Sequence, residues 1–135
     1  MNVVSNTSPL RYLSAIGQTE LVRNIFGHVL IPRAVERELL NPSAPAITRE
    51  WLAAKPEWIE VRDLTAPPHP SLLQKLDSGE AEAIQLALDT KADFIIIDER
   101  VGRQMAASRD LIVVGILASS SSRTGAERLR AQRRS

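Results

Sequence analysis

Phe94-Ile95-Ile96-Ile97-Asp98-Glu99-Arg100 is the stretch from which the fold class can be read. Four apolar residues in a row, three of them β-branched, read as a strand covered on both faces, the kind found in parallel sheets. The run stops at two acidic residues and an arginine, and a helical pattern follows over 99–108. Far upstream, residues 2–5 (Asn-Val-Val-Ser) read as another short strand. Asn6-Thr7-Ser8-Pro9 comes next, with a side-chain oxygen cap and a proline near the first turn, which together signal a helix start. Further strands are expected at 29–31 and 111–114, and 58–61 reads as a strand or an edge segment. Helical patterns fill 10–16, 20–26, 32–40, 44–55, 72–76 and 79–90. Alternating strands and helices predict an α/β sandwich with a central parallel sheet flanked by helices.

Composition agrees with one globular domain. The chain has 135 residues and a mass of 14.9 kDa, with 44% apolar and 24% charged residues. The absence of cysteine excludes disulfide scaffolds, zinc–thiolate sites and thiol nucleophiles. Two histidines, His28 and His69, leave little for a histidine-based metal site or triad. Aromatic residues, at 4%, are too few for a base-stacking platform. No apolar run approaches the roughly 18 residues of a membrane span, and the start lacks a basic segment followed by an apolar one. The expectation is a cytoplasmic protein without a membrane contact. Net charge is +1, but residues 123–135 hold five arginines and one glutamate, leaving 12 basic and 15 acidic residues in the rest. The expected division is therefore a folded domain over 2–117 and a Ser-rich, Arg-rich tail over 118–135. Such a tail is either a solvated terminus or an attractor of nucleic acid.

The placement of acidic residues narrows the chemistry. In open α/β sheets, ligands collect outside the carboxyl ends of the strands. Asn6-Thr7-Ser8 and Asp98-Glu99-Arg100 both follow strands, so they meet at one sheet edge if those strands are neighbours. On the 32–40 helix, Ala34, Val35 and Leu39 define the apolar face; Glu38 projects inside that stripe, whereas Glu36 and Arg37 point away. On the 79–90 helix, Ala81, Ala83, Ile84, Ala87 and Leu88 define the inner face. Glu80 lies within that arc, and Glu82, Gln85 and Asp89 lie opposite. An inward carboxylate must be ion-paired, hydrogen-bonded or bound to a metal. Local explanations exist for each residue. Asp77-Ser78-Gly79-Glu80 fits a helix start in which Glu80 bonds the backbone. Glu38 has Arg33, Arg37 or a distant arginine as potential partners. Asp98 and Asn6 can each cap the helix that follows. Taken together at one edge, the same residues suit a hard divalent cation, Mg²⁺ or Mn²⁺, which takes oxygen ligands and readies a water for attack on a phosphodiester. Thr7, Ser8, Arg100 and Arg103 are candidate donors to the phosphate, the two arginines lying on one side of their helix.

Four segments, in this order, carry a resemblance: Val3-Val4-Ser5-Asn6-Thr7-Ser8-Pro9-Leu10; Ile31-Pro32 with Val35, Glu38 and Leu39; Gly79-Glu80-Ala81-Glu82-Ala83-Ile84; and Ile97-Asp98-Glu99-Arg100 with Gly102 and Arg103. Together they resemble the PIN-domain ribonucleases, above all the small VapC-like toxins of toxin–antitoxin modules, over about residues 2–117. The resemblance implies a PIN-like three-layer sandwich and a metal-dependent endoribonuclease. It implies metal ligation by Asn6, Glu38, Glu80 and Asp98, with Glu99 as an auxiliary and Ser8 as the small hydroxyl residue near the first position. It also implies an RNA substrate, a cognate antitoxin and a homodimer. The chain departs from the family pattern in two places. Asn6 stands where the wider family most often has aspartate, so one carboxylate is replaced by a neutral carbonyl donor. After Gly115-Ile116-Leu117, where relatives usually continue with an apolar helix, this chain turns to serine and arginine.

Overall fold

Three short β-branched or aliphatic segments, which favour a pleated and covered surface, form the middle of the sheet. They are β1 (Val3–Ser5), β2 (Val29–Pro32) and β4 (Phe94–Ile96); β3 (Ile59–Arg62) and β5 (Val113–Val114) complete it. The computed structural model describes residues 1–116, so the expected tail over 118–135 lies outside the described residues. Strand order is β3-β2-β1-β4-β5 and every pairing is parallel. Of the two readings of 58–61, a strand or an edge segment, the structure shows both at once: β3 is a strand at the sheet edge and is only half-buried.

Seven helices connect the strands: α1 (Thr7–Ala15), α2 (Glu20–Phe26), α3 (Arg33–Leu40), α4 (Ala46–Ala53), α5 (Pro70–Leu73), α6 (Ser78–Asp89) and α7 (Arg100–Ser108). Proline fixes several starts. Pro45 holds α4 to a start at Ala46 rather than 44, and Pro70 moves α5 ahead of the expected 72. His69, just before α5, accepts a hydrogen bond from the Ser71 N–H at 3.1 Å. The strand expected over 94–97 ends at Ile96.

The period-2 alternation of the strands creates two separate cores. Val3, Val29, Ile31 and Ile96 face one layer, packing with Leu10, Leu13, Val22, Val35, Leu39 and Leu52 from the first four helices. Val4, Leu30, Ile95 and Ile97 face the other, packing with Leu72, Ile84, Leu86, Ala87 and Ala106 from the last three. This two-sided cover is why the 94–97 run is apolar without interruption. The result is the expected three-layer sandwich, helices–sheet–helices. It brings the amino ends of α1, α6 and α7, and one face of α3, to the carboxyl edge of the central strands.

Candidate active site

The site begins where β1 and β4 end. Ser5 lies opposite Ile96 in the parallel pair, and the Asn6 N–H continues the ladder to the Ile96 carbonyl at 3.0 Å. In the order β3-β2-β1-β4-β5 the connections reverse direction between β1 and β4, and a crevice opens outside the carboxyl ends at such a point. Asn6 flanks it on one side and Asp98 on the other. Asn6 is buried and occupies the N-cap position of α1 in extended conformation, but its side chain makes no capping hydrogen bond. The local capping explanation for Asn6 therefore does not hold.

Asp98 does not cap α7 either; that position belongs to Glu99, whose side chain makes no cap bond. Oδ1 of Asp98 instead accepts the Ile116 N–H at 2.7 Å, tying the end of β4 to the chain beyond β5. Glu99 accepts a hydrogen bond from Ser8 Oγ at 2.9 Å, which draws the first turn of α1 toward α7. Glu38 reaches in from α3, where Thr7 Oγ1 lies 3.3 and 3.2 Å from its two carboxylate oxygens. No arginine forms an ion pair with it among the described residues. Arg33 is engaged with Asp63 and Glu36, and Arg11 and Arg37 act on Glu38 only through their charge. Glu80 enters from the first turn of α6. The Asp77 side chain caps that helix, accepting the Glu80 N–H at 2.9 Å.

Two glycines let the carboxylates in. A Cβ on Gly79 would stand 2.6 Å from Glu38 Oε1 and closer still to Oε2. A Cβ on Gly102 would stand 2.8 Å from Glu80 Oε2. Glu38 thus lies on the backbone of the helix that carries Glu80, and Glu80 lies on the backbone of α7. Asp98 Oδ1 and the Arg103 guanidinium both rest against Gly115.

Crowding of like charges sets the electrostatics. Burial, followed by the charges of Asp77 and Glu99, pushes the Glu80 carboxyl up to about 7, with the Asp77 backbone N–H partly offsetting this. Burial and the Asp77 charge raise Glu38 as well, while the Thr7 hydroxyl, Arg11 and Arg37 pull it back. Glu80 is only 8% exposed, and its Oε2 has no hydrogen-bond partner. An orphaned, buried carboxylate oxygen among other carboxylates is a position that a cation would satisfy. No three acidic or histidine side chains among the described residues are close enough to close on one ion by themselves. The donor set is hard oxygen throughout, and it fits Mg²⁺ or Mn²⁺ held by one or two carboxylates with water filling the other positions.

The structure thus brings Asn6, Glu38, Glu80, Asp98 and Glu99 around one crevice. It gives the Thr7 and Ser8 hydroxyls to Glu38 and Glu99 rather than leaving them open. Arg100 is exposed at the rim, and Arg103 is half-buried beside Asp98. One placement read from the helix wheel is corrected. Glu82, expected opposite the inner face of α6, is half-buried and accepts the Ala34 N–H of α3 at 3.1 Å. A wheel shows the core side of one helix; it does not show that α3 covers the opposite side. Asp77 and the two glycines were also missed as site components. Asp77 was legible only as a cap, and a glycine approached by a distant carboxylate leaves no local pattern.

The chain is a parallel α/β sandwich with acidic side chains gathered near its topological switch point. A family model described as a PIN domain matches residues 2–118, and the chain belongs to that family, whose fold is a nuclease fold. Among solved structures, a PilT N-terminus domain protein from the hyperthermophilic archaeon Sulfolobus solfataricus P2 is similar in fold, with a TM-score of 0.59 at 17% identity. That alignment covers 92% of this chain and 97% of the other. No curated protein matches the chain. No helix among the described residues is long and apolar enough to cross a membrane.

Proposed function

We propose that this chain is a Mg²⁺- or Mn²⁺-dependent endoribonuclease of the VapC-like kind, the toxin of a toxin–antitoxin module. The observation that carries the reading is the orphaned Oε2 of Glu80, buried under the negative charges of Asp77 and Glu99. A bound divalent ion would supply water activation and neutralise charge on the phosphodiester. Glu38, Glu80 and Asp98 would hold it, one or two directly and the rest through water, with Asn6 offering a carbonyl oxygen and Glu99 as an auxiliary. The Thr7 and Ser8 hydroxyls hold Glu38 and Glu99 in orientation, so their part is to position carboxylates rather than to meet the phosphate. Arg100 and Arg103 present cationic donors on the α7 side for RNA phosphates. With an asparagine at the first position, three carboxylates and Glu99 carry the charge, so cation affinity is lower than with an aspartate there. In this reading an antitoxin neutralises the enzyme by filling the acidic crevice, and the working form is a homodimer.

Cleavage of an RNA panel that includes transfer RNAs tests the proposal, comparing Mn²⁺, Mg²⁺ and EDTA, with Asp98→Ala purified in parallel. The expected result is metal-dependent cutting that falls at least a hundredfold in the variant. A folded wild-type sample that binds RNA without cutting it would replace the enzyme with a non-catalytic binding module, the reading that Asn6 and the loose carboxylate ring favour.

A further inference from the structure

Glu82 makes a contact that the candidate chemistry does not use. Its Oε1 accepts the N–H of Ala34 at 3.1 Å, across 48 positions of sequence, in a partly buried setting. Ala34 is in the first turn of α3, where backbone N–H groups have no partner within the helix. The preceding cap residue is Pro32, which has no side-chain acceptor, and α3 has no side-chain cap of its own. Glu82 supplies the missing acceptor, and its charge also suits the positive end of the helix. The geometry of the two helices makes this more than a cap. Ala34 is one turn before Glu38 on α3, and Glu82 is two residues after Glu80 on α6. The Glu38 carboxylate rests on Gly79, immediately before Glu80. One hydrogen bond therefore joins the helix bearing Glu38 to the helix bearing Glu80, one turn of α3 away from the contact of the Glu38 carboxylate with Gly79.

We propose that Glu82 is a positioning residue: it fixes the register of α3 against α6 and so sets where the Glu38 carboxylate stands relative to Glu80. Its metal-related consequence rests on the proposed function; its structural consequence does not. Without the bond, α3 is held only by the non-directional packing of Val35 and Leu39, which fixes its axial position less sharply, and the Glu38 carboxylate shifts on Gly79. Glutamine at this position keeps an acceptor oxygen, whereas alanine removes it.

Three readouts on the full chain test this, using Glu82→Ala and Glu82→Gln. The first is amide hydrogen exchange at Ala34, expected to accelerate at least tenfold in Glu82→Ala and to stay within about threefold of wild type in Glu82→Gln. The second is the amide chemical shift of Gly79, expected to move in Glu82→Ala and to hold in Glu82→Gln. The third is the Mn²⁺ dissociation constant, expected to rise about tenfold in Glu82→Ala with most of the affinity recovered in Glu82→Gln, as is typical when an outer-shell partner is lost. A Glu82→Ala protein that melts earlier but keeps the Gly79 shift and the Mn²⁺ affinity of wild type would reduce Glu82 to a cap and overturn the proposal. If wild type binds no Mn²⁺, the metal reading fails and the exchange and shift measurements alone decide the latch. If Glu82→Ala does not fold, an unchanged Gly79 shift together with rapid Ala34 exchange in Glu82→Gln would overturn it, and wild-type values for both would support it.

Discussion

Glu80 concentrates the tension of the site in one side chain. Its carboxyl is held at about 7, far above its ordinary value of 4.5, because it is buried beside Asp77 and Glu99. An acid whose pKa is raised on folding binds its proton more tightly in the native state. Its contribution to stability is therefore complete below the ordinary value and declines as pH rises toward about 7. Melting temperature measured across this window is expected to fall in wild type and to flatten in Glu80→Gln. A bound cation reverses the penalty, and protons compete with it. Mn²⁺ should accordingly raise the melting temperature more at pH 8 than at pH 5. Gly79 gives a second prediction. Gly79→Ala puts a methyl 2.6 Å from Glu38 Oε1, and overpacking of this kind costs about 1–3 kcal/mol. Denaturation midpoints should show a smaller loss for the same change in a Glu38→Ala background, where the obstructing carboxylate is gone. The inward Glu38 and Glu80 were legible in the sequence because a 3.6-residue period places them among apolar neighbours. The Thr7–Glu38 and Ser8–Glu99 bonds were not, because each joins residues brought together only by the sheet.

At the scale of elements, α6 has a structural role and a chemical one in the same turn. Asp77 caps the helix through the Glu80 N–H, and its negative charge raises both Glu80 and Glu38. The two effects separate by substitution. Asp77→Asn keeps an N-cap acceptor and removes the charge, whereas Asp77→Ala removes both. Asp77→Ala is expected to cost about 1 kcal/mol in chemical denaturation, and Asp77→Asn much less. Both should lower the Glu80 carboxyl from about 7 in a carbon-13 titration, since both remove a charge that raises it. The cap signature Asp77-Ser78-Gly79-Glu80 placed the start of this helix well. It accounted for only half of what Glu80 does, because a cap motif describes a helix end and not the residues that face it. Sequence readings of α2 and α3 landed within a residue of their observed bounds, with Gly27 closing the one and Asn41-Pro42 following the other. The weaker pattern over 44–55 shortened to Ala46–Ala53, where Pro45, and then Lys55 in a left-handed conformation before Pro56, set the limits.

Across the whole molecule, function depends on strand order more than on any one strand. Placing β1 beside β4 brings Asn6 and Asp98 to one crevice, and α3 and α6 bring Glu38 and Glu80 to its walls. Alternation of strands and helices made the layered architecture legible, and the uninterrupted 94–97 run marked an interior strand. Strand order was not readable from spacing, because parallel crossovers allow any two strands to be neighbours; that β1 and β4 pair is a finding of the structure. The central claim is that this crevice is a divalent-cation site completed by Glu80. Calorimetric titration of Mn²⁺ into wild type and Glu80→Gln at pH 8, with matched folding checked by circular dichroism, tests it most directly. The account predicts saturable binding to wild type that weakens at least tenfold in the variant. Equal binding by the two proteins, or no binding by either, would contradict it.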